Sequence, residues 1–176
     1  MALTKLNNAA ISPVTSAGLP VIDKTKMPSG TIIQTQTYGA YPGYGEVASS
    51  SGYVDSGINI TITPTATSSK ILLQCQWSWW LSTDANNYMQ ATIYRTIGGS
   101  GLTNLAPDNT YDAMQFYGPS RHAGYNDAAY LQHIDSPNTT SACVYKIYVR
   151  PYDATNNVRY KWTEAEATMH ALEIAG

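Results

Sequence analysis

Three histidines, two cysteines and a few close carboxylates are the side chains of this chain that could do chemistry. Zinc takes His or Cys ligands at short, characteristic spacing. His122, His133 and His170 stand far apart, and neither Cys75 nor Cys143 lies beside one of them. Glu164 and Glu166 would share one face of a strand, where successive side chains alternate. Such a pair can exchange protons or bind calcium, but no third ligand stands near it. Asp84-Ala85-Asn86-Asn87 and Asp153-Ala154-Thr155-Asn156-Asn157 offer oxygen ligands, yet Asp and Asn favour turns for backbone reasons alone. No Gly-x-Ser-x-Gly nucleophile elbow occurs. Gly98-Gly99-Ser100-Gly101 lacks the lysine and the helix of a phosphate-binding loop. These residues predict no catalytic centre, no metal site and no cofactor.

Tyrosine carries the stronger signal. The chain has 14 Tyr and 4 Trp against a single Phe, although a core alone would favour Phe, because a buried phenol needs a hydrogen-bond partner. Tyr set among Ser and Gly makes adaptable recognition surfaces, with large contact area at low entropy cost. Tyr38, Tyr41, Tyr44 and Tyr53 lie in such a stretch, Tyr38 to Gly57. Tyr111, Phe116, Tyr117, Tyr125 and Tyr130 fall in an irregular stretch, Leu102 to Asn126 and just beyond. Tyr38, Tyr41, Tyr44, Tyr53, Tyr111, Phe116, Tyr117 and Tyr125 are the expected contacts to a ligand or another subunit. Packing of these loops on their own domain stays open.

The elements that would position these side chains are strands. In Ile58–Trp80, Ile58, Ile60 and Ile62 point one way while Asn59, Thr61 and Thr63 point the other. After a turn rich in Pro, Thr and Ser, Ile71, Leu73, Cys75, Trp77 and Trp79 share a face opposite Gln74, Gln76 and Ser78. Only a strand sorts alternate side chains this way. Further strands are expected over Thr31–Thr37, Tyr88–Arg95, Ala128–Ile134, Ser141–Arg150, Val158–Thr163 and Thr168–Ile174. Met89, Ala91 and Ile93 form one inward set, and Cys143, Tyr145, Ile147 and Val149 another. Many short strands separated by turns, with almost no helical period, predict an all-β antiparallel sandwich or barrel. Cys75 and Cys143 both fall on inward faces and read as buried free thiols.

Residues 1–28 read differently. They mix scattered apolar residues with Pro13, Pro20 and Pro28 and hold no period, so they cannot build a core. They are expected to form an extended arm that docks on a partner through Leu3, Leu6, Ile11, Val14, Leu19, Val21 and Ile22. Residues 29–176 form the head domain. The net charge of −2 and the scattered Lys and Arg argue against a nucleic-acid footprint, which needs a basic patch. No signal-peptide pattern and no apolar run of about 20 residues is present, so synthesis in a cytoplasm without membrane insertion is expected.

Several ordered islands resemble a β-sandwich domain of virion proteins from tailed bacteriophages, notably marine ones. They are Pro28-Ser29-Gly30-Thr31-Ile32-Ile33-Gln34, Ile62-Thr63-Pro64 with Ser68-Ser69-Lys70-Ile71-Leu72, Tyr94-Arg95, Leu131–Thr140 and the closing Leu172-Glu173-Ile174. The opening MALTKL is similar to short anchor segments of phage fibre proteins. The resemblance implies a jelly-roll-like sandwich, a homotrimer and a structural or adhesive role at the virion surface, and it supplies no catalytic residue. On this reading the chain is a capsid decoration or short head fibre, held to other virion proteins by its arm. The chain has no coiled-coil or collagen-like shaft, which a far-reaching tail fibre would need. The alternative is a receptor-binding tail-fibre tip that recognises a host glycan or protein; a glycan-degrading enzyme would need acidic pairs that are not evident. Subunits are expected to meet through strand faces bearing Tyr94 and Tyr148.

Overall fold

The computed structural model describes residues 27–40, 45–47, 52–81, 88–106, 114–117, 126–152, 158–160 and 166–176. The anchoring-arm residues Leu3, Leu6, Ile11, Val14, Leu19, Val21 and Ile22 lie outside them, as do His122, Glu164, Asp84–Asn87 and Asp153–Asn157.

Eleven strands are described: β1 (Ile32–Ala40), β2 (Gly45–Val47), β3 (Val54–Ile62), β4 (Lys70–Leu81), β5 (Tyr88–Ile97), β6 (Ser100–Asn104), β7 (Met114–Tyr117), β8 (Asn126–Asp135), β9 (Cys143–Pro151), β10 (Val158–Tyr160) and β11 (Ala167–Ile174). They build two antiparallel sheets. The first runs β1-β11-β4, with β8 on the other side of β4, and β10 and β2 continuing from the far end of β4. The second runs β3-β9-β5, with β6 and β7 sharing the outer side of β5. The chain crosses between sheets at β2–β3, β3–β4, β4–β5, β7–β8, β8–β9 and β9–β10. Four-strand layers ordered β1-β11-β4-β8 and β3-β9-β5-β6, wound by such crossings, are the jelly-roll form of an antiparallel sandwich.

The alternation read from the sequence is the alternation of burial on β3, β4, β9 and β11; on β5, Gln90 and Thr92 of the opposite face are buried as well. Ile58, Ile60 and Ile62 face Ile71, Leu73, Cys75, Trp77 and Trp79 across the core, with Met89, Ala91, Ile93, Cys143, Tyr145, Ile147, Val149, Met169 and Ala171, all buried. Cys75 and Cys143 are buried free thiols, one in each sheet. The Gly98-Gly99 break is a two-residue hairpin: Ile97 pairs Ser100, and both glycines have positive φ (58° and 81°). That conformation suits the right-handed twist of the flanking strands and excludes most side chains. Two expectations need correction. Tyr38 is no loop residue, because β1 continues through it to Ala40, and it packs half-buried against the core opposite Met169. The stretches given as irregular hold the short strands β2, β6 and β7, too short to show a period.

Candidate functional site

The register sorts the molecule into two poles. At one pole lie Met27–Thr31, where the head begins, and Ala175-Gly176, where it ends. The backbone locks them together: Gly30 N–H donates to Ala175 O (2.8 Å) and Ala175 N–H to Thr31 O (2.8 Å). The turns β3–β4, β5–β6 and β8–β9 share that pole, since Ile71 pairs Asp135 and Ile97 pairs Cys143. At the opposite pole the strands end at Ala40, Val54, Leu81, Tyr88, Tyr117, Asn126, Pro151 and Ala167. The connections leaving these ends include residues 41–44, 82–87, 118–125 and 161–165, which lie outside the described residues. Tyr41, Tyr44 and Tyr125 belong to them, and Tyr111 to the β6–β7 connection.

Of the expected contact residues, the structure brings Tyr53 into an aromatic group. Tyr53 meets Tyr94 edge-on with centroids 6.3 Å apart, and Tyr94 meets Tyr148 at 4.4 Å. The Arg150 guanidinium sits 4.5 Å from the Tyr53 centroid, a cation–π contact. Lys146 on the same outer face pairs Asp55 at 2.9 Å. Tyr94 and Tyr148 therefore cover much of one another's surface within a single subunit. Phe116 and Tyr117 lie on β7, paired with Met89 and Tyr88.

The first pole holds polar groups that periodicity did not single out. On β11 the inward phase runs Ala167, Met169, Ala171, Glu173, and Glu173 is fully buried. Its Oε1 accepts hydrogen bonds from Thr65 N–H (2.6 Å), Thr65 Oγ1 (2.7 Å) and Ser69 Oγ (2.6 Å). Its Oε2 accepts from Gln34 Nε2 (2.6 Å), which also donates to Thr63 O (2.7 Å). Burial pushes this carboxyl up, but the donors Ser69, Gln34 and Thr65 outweigh it and hold it below the usual carboxylate range. On β8 the inward phase ends in Asp135, which receives Arg95 Nη1 (2.7 and 2.6 Å) and Tyr145 Oη (2.7 Å). Burial, then the bond to Asp135, pushes the Tyr145 phenol up and keeps it protonated as the donor. Asp135 and Glu173 flank Ile71 in the sheet, and Arg95 and Tyr145 are paired opposite. The sandwich thus ends in two carboxylate clamps that tie the β3–β4 turn, β1 and β11, and β5, β8 and β9. The signal for them was a carboxylate standing in an apolar phase. They are positioned to fasten strands, not to meet a substrate.

The remaining feature is the outer face of β1, β11, β4 and β8. Across it run Leu172, Leu72 and Ile134, then Thr37, His170, Gln74 and Gln132, then Thr168, Gln76 and Tyr130. Gln74 Nε2 donates to Tyr130 Oη (3.2 Å), which donates to Gln132 Oε1 (3.0 Å), and Thr37 Oγ1 lies 3.2 Å from His170 Nδ1. A shallow hollow of about 190 Å³ opens among Gln74, Gln76, Tyr130, Thr168 and His170. Among the described residues no three His, Cys, Asp or Glu side chains converge on a metal-sized site, and no helix is long and apolar enough to cross a membrane. Glu166 is exposed, with its carboxylate lying over Gly39.

No known protein family matches the chain, and no curated protein is similar to it in sequence. Among solved structures, it is similar to the Eiger TNF from S. frugiperda at 12% identity and a TM-score of 0.46, over 80% of this chain and 92% of that one. It is also similar to the VP2 subviral particle of infectious bursal disease virus at 11% identity and a TM-score of 0.38, over 81% of this chain and 42% of that one. Likenesses at this level assign neither a family nor a function. The strand order itself defines the class: an all-β jelly-roll sandwich.

Proposed function

We propose that this chain is a bacteriophage virion structural protein. Its jelly-roll head assembles as a homotrimer, is held to the particle by residues 1–28, and is displayed as a capsid decoration or short head fibre. The observation that carries the reading is the separation of the two poles. The arm joins the head beside the C-terminal residues, at the pole fastened by the Glu173 and Asp135 clamps. The Tyr-bearing connections leave the opposite pole. A head seated by one pole presents the other outward. The sequence islands at Pro28–Gln34, Ile62–Leu72, Leu131–Thr140 and Leu172–Ile174 supply the virion context and the number three. The two clamps lie within these islands or bond to them, as Glu173 to Ser69 and Gln34, so the resemblance coincides with what fastens this pole. The role is one of structure and contact, not catalysis.

A second reading has its own observation. Tyr41, Tyr44 and Tyr125 belong to connections at the outward pole, and Tyr53 is held in place by Tyr94 and Arg150. A tail-tip module recognising a host glycan or protein would place its contacts there. Immunogold electron microscopy of phage particles with antibody against the head separates the two. Label spread over the capsid supports the decoration. Label confined to the tail tip, with purified protein binding host cells, replaces it with the second reading. Particles without label overturn both.

A further inference from the structure

The two outer faces of the sandwich differ in charge. The outer face of the second sheet carries Asp55, Lys146 and Arg150 beside its tyrosines. The outer face of β1, β11, β4 and β8 carries no Asp, Glu, Lys or Arg through its middle. Its described charges, Lys70 and Glu166, stand at opposite margins, and the Arg159–Glu46 pair lies beyond on β10 and β2. Exposed aliphatic side chains occur on both sheets, Val54 and Leu102 on the second, but here they have aliphatic neighbours: Ile134 is 56% and Ile32 55% exposed, and Leu72, Leu172 and Ile174 are half-buried around them. Ile32 pairs Ile174 in register, and Leu172 and Leu72 lie in line with Ile134, so these side chains form one band across four strands.

Contact surfaces lose charge at their centres and keep it at the rim. In a trimer closed about a three-fold axis, side chains of a face turned to that axis lie beside their own counterparts, so the face must tolerate meeting itself. A neutral face with both donors and acceptors meets that condition without like-charge repulsion, whereas a charged one does so only in chosen registers. Several polar atoms of the middle rows are already bonded, along Gln74, Tyr130 and Gln132 and between Thr37 and His170. Removing water from paired groups costs less than stranding unpaired ones. The size also fits. Four strands about 4.8 Å apart, at about 3.4 Å per residue over the length of β11, make a face of about 500 Å² before side-chain relief. That is the right order for the roughly 800 Å² that each partner buries in a standard stable interface.

The geometry points to this face as the surface through which the chain associates with further copies of itself. The inference rests on the reading that the head self-assembles, and it moves the contact from the sheet bearing Tyr94 and Tyr148 to the other sheet. Sedimentation velocity of the full chain at micromolar concentration tests it. The wild type sediments as an oligomer. Ile134→Glu with Gln132→Glu puts charge into the centre through two exposed side chains and reduces the species to the 19.1 kDa single chain, with an unchanged far-UV spectrum. Should the pair unfold the head, Gln132→Lys alone, which removes no apolar surface, gives the same reading. Thr61→Glu, exposed on the outer face of the second sheet, leaves the oligomer intact. An oligomer that survives the first variants, or that comes apart only with Thr61→Glu, overturns the choice of face and leaves self-assembly standing. A monomeric wild type overturns self-assembly, and this inference with it.

Discussion

Glu173→Gln is the sharpest test of how the arm-bearing pole is held. The substitution keeps shape and removes charge. The carboxylate accepts four hydrogen bonds, three at Oε1 and one at Oε2. An amide can put its oxygen in the Oε1 position, but its NH₂ then faces the Gln34 Nε2 donor. Flipping Gln34 does not relieve this, because the same nitrogen donates to Thr63 O. One bond is lost, a donor is left facing a donor, and three others lose their charge assistance. A hydrogen bond to a charged group contributes about 1.5–3 kcal/mol, and a stranded buried group costs about 1–3 kcal/mol. A loss of about 3 kcal/mol follows, or about 6–12 °C in melting temperature for a domain of this size. The sign with pH follows from the lowered carboxyl. The stabilisation is complete above the unfolded value of about 4.3 and drains away as pH falls through the lower folded value. Urea unfolding of wild type and variant from pH 7 down to pH 3 reads both effects. The gap is widest at neutral pH and narrows in acid. A variant as stable as the wild type at pH 7, or a gap that does not change with pH, refutes the clamp.

Trp77→Ala should cost about 3–5 kcal/mol, since the side chain is 1% exposed in the middle of β4; an unchanged midpoint in urea would mean that the inner face is misassigned. Arg95→Met leaves the Asp135 charge buried without its cation, and should cost about 3–5 kcal/mol. Adding Asp135→Asn should recover part of that, and a double variant worse than the single would count against the pairing. Burial pushes the thiols of Cys75 and Cys143 up, so both should resist a disulfide reagent in the native protein and react in denaturant; rapid reaction of either native thiol would contradict its placement. Deleting residues 1–28 should leave a folded head by far-UV spectroscopy that no longer co-sediments with particles, and full co-sedimentation of the truncated chain would sink the anchoring role.

The strands most legible in the sequence were those with an apolar residue at every second position. β4 and β9 set five and four such residues on the inward face, and β3 and β5 three each, enough for period two to be read; on β5 the other face is buried too, through Gln90 and Thr92. β2 has three residues and is defined by its pairing with β10, which no local pattern encodes, whereas β10 falls within the strand expected over Val158–Thr163. Which strands neighbour which, and hence the two poles, depends on contacts far apart in sequence. The clamps escaped for a related reason. Glu173 and Asp135 stand in apolar phases, where a carboxylate reads as a strand end, and their partners Ser69, Gln34 and Arg95 are brought to them only by the fold. Tyrosine was counted correctly but placed in part: Tyr38 belongs to β1, and the tilted rings of Tyr94 and Tyr148 pack against each other.

The pairing of β1 with β11 bears on how the head carries load. Its ladder runs from Ile32↔Ile174 to Ala40↔Ala167, with inter-strand bonds perpendicular to the strands. A pull between the arm at one pole and a contact at the other runs along the strands, so the ladder is loaded in shear and its bonds must fail together. A pull on the two termini, which leave the same pole side by side, would instead peel the ladder open bond by bond, starting at Gly30 and Ala175. The head is strong along its strands, the direction in which the proposed display would tug it, and weak to a pull on its two ends at one pole.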